Sequence, residues 1–204
     1  KNAVMFNFEN GSFTTDKTDV AAYKAFFDDL WKNRNGKAAE APESEPRLPS
    51  DEKLVSELQL EPEPLPPAPT WPDLPAAEQL QFNGEAFPAY AVRPQHPIQA
   101  QLVHAIQASK KSIRLSLYEF TLPEILDALR DAKKRDLKIE IVMDYAHVYP
   151  RGLDHSGKPR RRSPEIQALM DEGFDIRVIR GLKSTGSMHN KFALFDGTML
   201  NAGS

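Results

Sequence analysis

The sequence predicts an α/β sandwich, a mixed and mostly parallel sheet flanked by helices. Two observations carry this. Between residues 81 and 204, stretches that alternate apolar and polar residues take turns with stretches of helical period. An Asp196-Gly197 pair then joins two short apolar runs, the signature of a tight antiparallel hairpin.

The elements follow in order. Lys1 to Phe8 alternates as a strand, and Asn10-Gly11-Ser12 reads as a turn. Thr18 or Asp19 caps a helix running to about Trp31, with Val20, Tyr23, Phe26, Phe27 and Leu30 on one stripe. Residues 36–80 read as a linker, because ten prolines interrupt any regular element and Glu dominates the charge. Only Asp51 to Leu60 could form a short helix there. Beyond it, Phe87 to Val92 is a strand and Pro97 to Lys110 a helix. Ser112 to Phe120 is a strand with Ile113, Leu115 and Leu117 on one face. Thr121-Leu122-Pro123-Glu124 is a capping-box pattern opening a helix to about Arg135. Lys138 to Asp144 is a strand, Ser163-Pro164 starts a helix that Gly173 stops, and Phe174 to Arg180 is a strand. Met188 to Phe195 and Thr198 to Ala202 form the closing hairpin.

Composition narrows the chemistry. With no cysteine, the chain has no disulfide, thiolate metal site or cysteine nucleophile. A formal charge of -3 gives no global basic field for nucleic acid. No apolar run is long enough to span a bilayer, and Lys1-Asn2-Ala3-Val4 is neither a leader nor a Met start. The compartment stays open, with a secreted or extracytoplasmic location favoured.

His189 and Lys191 stand two apart on a predicted strand, so they share a face. An imidazole beside a fixed positive charge suits a phosphoryl centre. If Asp196-Gly197 is a two-residue loop, Phe195 pairs with Thr198, Ala202 with Lys191 and Ser204 with His189. Paired residues stand roughly 5 Å apart, so His189, Lys191 and the Ser204 hydroxyl converge. Phe192 and Leu194 then point into the core. Asp196 falls on the order of 23 Å from His189 along a straight strand, so a turn role suits it as well as a catalytic one.

Other polar residues are weaker candidates. His155, with Asp154 beside it, lies in a polar loop from Tyr145 to Arg162, read as solvated or as a substrate loop. Lys158-Pro159-Arg160-Arg161-Arg162 could bind phosphates of nucleic acid or anionic lipid, or be a solvated basic loop. Lys183 could reach the site from its loop. Asp144 and Glu140 lack metal-ligand spacing with His189, and His104 and His147 receive no role.

The run His189-x-Lys191-x4-Asp196-x6-Gly203-Ser204 resembles the signature of the phospholipase D superfamily. So do Ser109-Lys110-Lys111-Ser112-Ile113, Tyr118-Glu119-Phe120-Thr121 and Ala132-Lys133-Lys134-Arg135, covering about residues 85–204. Phe27-Asp28-Asp29-Leu30-Trp31 resembles the end of the family repeat's closing helix. The resemblance therefore implies that 1–35 is the tail of a preceding repeat, 36–80 a linker, and 81–204 the front of a second repeat in a longer protein. Family repeats continue Gly-Ser-x-Asn and often carry Glu-Asn in the next strand; here the chain stops at Ser204, and Lys1-Asn2 stands at the second place.

The resemblance implies an α/β sandwich and a two-step reaction without metal or cofactor. One His attacks phosphorus to give a phosphohistidine, and the His of a second such motif protonates the leaving oxygen. That second motif comes from another repeat or from a homodimer partner. The implied site residues are His189, Lys191 and Asp196, with Ser204 on the substrate. The implied substrates are phospholipids first and nucleic acid, as for an endonuclease, second. A degenerate binding repeat is the non-enzymatic alternative.

Overall fold

A run of buried residues explains the centre of the sheet. In the strand Lys138–Asp144, every residue after Lys138 is buried. Such a run belongs to a strand covered on both faces. The computed structural model describes residues 10–32, 37–38, 78–92, 97–152, 157–181 and 186–203. All of these fall in one compact unit.

The elements are β1 (Asn10–Thr14), α1 (Lys17–Lys32), β2 (Lys37–Ala38), β3 (Gln79–Phe82), β4 (Glu85–Pro88), β5 (Tyr90–Val92), α2 (Ile98–Ala108) and β6 (Ser112–Leu117). There follow α3 (Pro123–Lys134), β7 (Lys138–Asp144), α4 (Tyr145–Val148), α5 (Pro164–Asp171), β8 (Asp175–Ile179), β9 (Lys191–Phe195) and β10 (Met199–Gly203). The main sheet has eight strands in the order β2-β8-β7-β6-β9-β10-β1-β5, and β3-β4 is a separate hairpin. Helices cover both faces. Residues of α2, α3 and α5 join the larger core with Phe195 and Ile141. On the other face, Val20 and Phe27 of α1 pack with Phe192, Leu194 and Leu200.

The α/β sandwich is therefore present, with a smaller parallel share than expected. Only β6-β7 and β7-β8 are parallel. The other neighbouring pairs, β2-β8, β6-β9, β9-β10, β10-β1 and β1-β5, are antiparallel.

Local differences have physical causes. Asn10-Gly11-Ser12 is not a turn: all three pair with β5, and Gly11 and Ser12 pair with β10 as well. The cap of α1 is Asp16, whose Oδ1 accepts from the backbone N–H of Thr18 at 2.8 Å and Asp19 at 3.0 Å. The backbone bonds from Asp19 and Thr18 hold this carboxyl below its usual range. Thr121 does not cap α3. Leu122 is the N-cap with no side-chain bond, and Pro123 supplies the preset first turn. Ser163 does cap α5, accepting from Ile166 N at 3.1 Å.

The first section of the chain completes this same sheet, with Gly11 beside Gly203 and Ser12 beside Ala202. α1 is tied down by paired charge as well as packing. Arg114 bonds Glu140 at 2.8 Å and Asp28 of α1 at 3.2 Å, and its guanidinium lies over the Phe27 ring. Arg177 lies over Trp31 and donates to its carbonyl. Lys1 to Phe8 and residues 41–76, most of the expected linker, lie outside the described residues.

Candidate active site

Strand direction gathers the polar residues at one edge. Leu117, the last residue of β6, pairs with Met143 of parallel β7 and with Lys191 of antiparallel β9. The carboxyl ends of the parallel strands and the start of β9 thus share an edge. In open α/β sheets such an edge is the usual binding crevice. Tyr118 follows β6 there, Asp144 ends β7, and His189 and Lys191 arrive with β9.

His189 is not on the strand, which begins at Lys191; residues 186–190 are irregular. The two side chains still meet. Lys191 Nζ stands 3.0 Å from Nε2 and 3.2 Å from Nδ1 of His189. The Tyr118 ring backs them, edge-on to His189 at 4.5 Å between centroids, with Lys191 Nζ 5.3 Å from its centre. Burial pushes the Lys191 ammonium below the usual lysine range, since the low-dielectric surroundings penalise its charge. An open groove of about 420 Å³ lies alongside, between His189, Lys191 and Gly203 on one side and Tyr23 and Phe26 of α1 on the other. Phe26 is 44% exposed.

Asp196 sits at the far end of β9 and caps another junction. Its carboxyl accepts from the backbone N–H groups of Lys110, Lys111 and Ser112 and from the Asn83 amide, at 2.7–2.9 Å. Burial works against its charge, but these four donors outweigh it and hold the carboxyl below its usual range. No bond joins it to His189 or Lys191 among the described residues. Its placement is that of an anchor between the β9–β10 turn, the α2–β6 junction and the β3–β4 turn. Asp196→Ala should cost about 1–3 kcal/mol, discounted toward the low end by solvent exposure. Urea unfolding checks this, and Asp196→Asn should lose less.

The hairpin register differs by one residue from the two-residue loop. Asp196 and Gly197 do take positive φ, 52° and 65°, and Thr198 N donates to Phe195 O at 3.0 Å. Thr198 is then an extra residue, so Phe195 pairs with Met199 and Ala202 with Phe192 rather than Lys191. Phe192 and Leu194 are buried as expected, and Ala193 and Phe195 are buried on the opposite face as well. Ser204, Asp154, His155 and Lys183 lie outside the described residues.

Residues that the sequence reading passed over stand at the site. Asp144, 1% exposed, accepts from Met188 N at 2.7 Å and Ala146 N at 3.0 Å, and lies 3.2 Å from His147 Nδ1. His147 packs on Tyr118 at 4.2 Å between centroids. An Asp closing the strand, three residues before a His, is the signal that the sequence carries.

The chain belongs to the phospholipase D-like family: residues 102–204, half of its length, match the family described as Cardiolipin synthase, PLD-like domain. It is 32% identical over 98 residues to Mitochondrial cardiolipin hydrolase of Drosophila melanogaster, covering 48% of this chain and 33% of that protein. With the Xenopus laevis protein of the same name it shares 26% over 105 residues, 52% of this chain and 43% of that protein. The chain thus spans less than half the length of these relatives. Among solved structures it is similar to Nuc from Salmonella typhimurium, a phospholipase D family member, at 25% identity and TM-score 0.38 over 54% of this chain and 76% of that one. NucT from Helicobacter pylori matches at 17% identity and TM-score 0.35, over 50% and 74%. Among the described residues no helix is long and apolar enough to cross a membrane.

Proposed function

We propose that this chain carries one half of a phospholipase D-type active centre, which hydrolyses or transfers phospholipid phosphodiesters through a covalent phosphohistidine. The pairing of His189 with Lys191 at the open sheet edge carries this reading. A phosphoryl group entering the groove takes the Lys191 ammonium away from the imidazole, which frees a ring nitrogen. Lys191 then balances the charge on the phosphoryl oxygens. One histidine of the complete centre attacks phosphorus, and the other gives its proton to the leaving oxygen. Water or an alcohol then takes the phosphoryl group from histidine, and the proton returns. His189 is the acid/base if a second repeat supplies the other motif. In a centre made of two copies it serves as nucleophile in one of them. Neither step draws on a metal.

Lipid is favoured by the names of the curated relatives and by the exposed Phe26 on the groove wall. An endonuclease is the second reading, favoured by Lys158, Arg160 and Arg161, exposed on the connection leaving β7 at this edge. The test offers vesicles of phosphatidylcholine with cardiolipin, and single-stranded DNA, with butanol present. Phosphatidylbutanol identifies both lipid turnover and the covalent intermediate. Cleavage of DNA alone, falling steeply with salt, selects the nuclease. EDTA should leave the rate unchanged, and inhibition by it would sink the metal-free chemistry.

The alkaline side of the pH profile should report Lys191. The residue acts while charged, and burial lowers its pKa, so kcat/KM should fall at a lower pH than an ordinary lysine would dictate. Bound phosphate favours the charged form, so the same limb in kcat should lie higher. Lys191→Arg should retain part of the rate and remove the limb. An unchanged limb in that variant would assign it elsewhere.

A further inference from the structure

His189 stands on irregular chain, yet a group that attacks phosphorus must be held in line. Residues 186–190 have no ladder to fix them, since β9 starts only at Lys191. One side chain takes the place of that ladder. Asp144 Oδ1 accepts the N–H of Met188, the residue before His189, at 2.7 Å in a buried bond. The Met188 side chain is itself buried, with Ser116 Oγ donating to its sulfur at 3.7 Å. The other oxygen of Asp144 accepts from Ala146 N, and His147 Nδ1 lies 3.2 Å from it. A carboxyl that accepts two backbone N–H groups acts as an acceptor, so His147 Nδ1 carries the hydrogen. His147 in turn packs against Tyr118 at 4.2 Å, and Tyr118 against His189 at 4.5 Å.

We propose that Asp144 is the positioning residue of the site, fixing His189 by two routes: directly through the Met188 backbone, and through His147 and Tyr118 against the imidazole. Asp144 is too buried to meet substrate, and it acts only through these neighbours. Its catalytic meaning rests on the phosphodiesterase reading above; its geometry does not.

The bond can be separated from the packing. His147→Phe keeps a ring against Tyr118 and loses the hydrogen bond, at a position only partly buried. Asp144→Asn removes the shared acceptor. Long-range proton–nitrogen spectra of the histidines in the intact chain give a readout that needs no turnover. Neutral His147 should be the Nδ1–H tautomer, and both variants should shift the ring signals of His189. With bis(p-nitrophenyl) phosphate as the probe, His147→Phe should lower kcat about tenfold or more at nearly constant KM, as misplacement of a reacting group does. An Nε2–H tautomer, or His189 signals and kcat unmoved in His147→Phe, overturns the second route. If Asp144→Asn does not fold, the His147→Phe result still decides that route. Met188 amide exchange as slow in folded Asp144→Asn as in wild type overturns the first. A chain inactive on every phosphodiester, but with His189 signals that move as stated, keeps the positioning and removes the functional reading.

Discussion

His189→Ala should lower phosphodiesterase turnover at least about a thousandfold, because its imidazole is the group proposed to form or protonate the bond at phosphorus. Lys191→Ala should cost about a hundredfold or more, since the phosphoryl oxygens lose the ammonium that stands at the imidazole. Neither change should unfold the protein. His189 is exposed and Lys191 half-buried, and neither side chain belongs to a core cluster. Steady-state rates alongside thermal melts check both statements. Full activity in His189→Ala would sink the assignment, and a collapsed melt would reduce it to a folding effect.

Phe27→Ala should destabilise the fold by about 3–5 kcal/mol, the range for emptying a fully buried aromatic site. Phe27 is 0% exposed. Its ring stacks on Trp31 at 5.8 Å between centroids and meets Phe192 edge-on at 6.3 Å. The Arg114 guanidinium covers it at 5.4 Å. The loss therefore reaches beyond α1: Phe192 is the residue after Lys191, and its packing steadies the start of β9. Urea denaturation should show the lower midpoint. Loss of less than about 1 kcal/mol would mean that α1 adds little to this sheet.

The sequence made the parallel centre legible, because the strand pattern of Lys138 to Asp144 stands between helical stretches and Ser163-Pro164 is a strong helix start. It also made the His189–Lys191 pair legible, although for a partly mistaken reason. The pair was placed on a straight strand, and the structure instead brings an irregular segment back onto Lys191. The misread turns have a common cause. Asn-Gly at 10–11 looks like a turn locally, but pairing with β5 and β10 overrides it; a Cβ on Gly11 would meet Asn201 and Ile98 at 3.5 Å, ordinary van der Waals contact. Asn83-Gly84 is the true two-residue hairpin, with φ of 53° and 95°, and its nearness to the proline-rich stretch hid it. The one-residue slip at Asp196-Gly197 came from Thr198, whose place as an extra residue no propensity signals. Asp144 and His147 were legible only as a carboxyl and an imidazole three apart. Their meaning depends on Met188 and Tyr118, which arrive on the segments before β9 and after β6.

Residues 10–14 lie between β10 and β5, and their partners in β10 run from Leu200 to Gly203. During synthesis the β10 edge of this strand stays open until some 190 further residues have been made. At about 5–20 residues per second that wait is on the order of ten to forty seconds. A strand left open so long invites pairing with other nascent chains. Asn10-Gly11-Ser12-Phe13-Thr14 suits the wait, being short, largely polar and interrupted by glycine. Chaperones that hold exposed strand edges should therefore engage this chain before β10 is complete, and release it once Gly203 clears the exit tunnel.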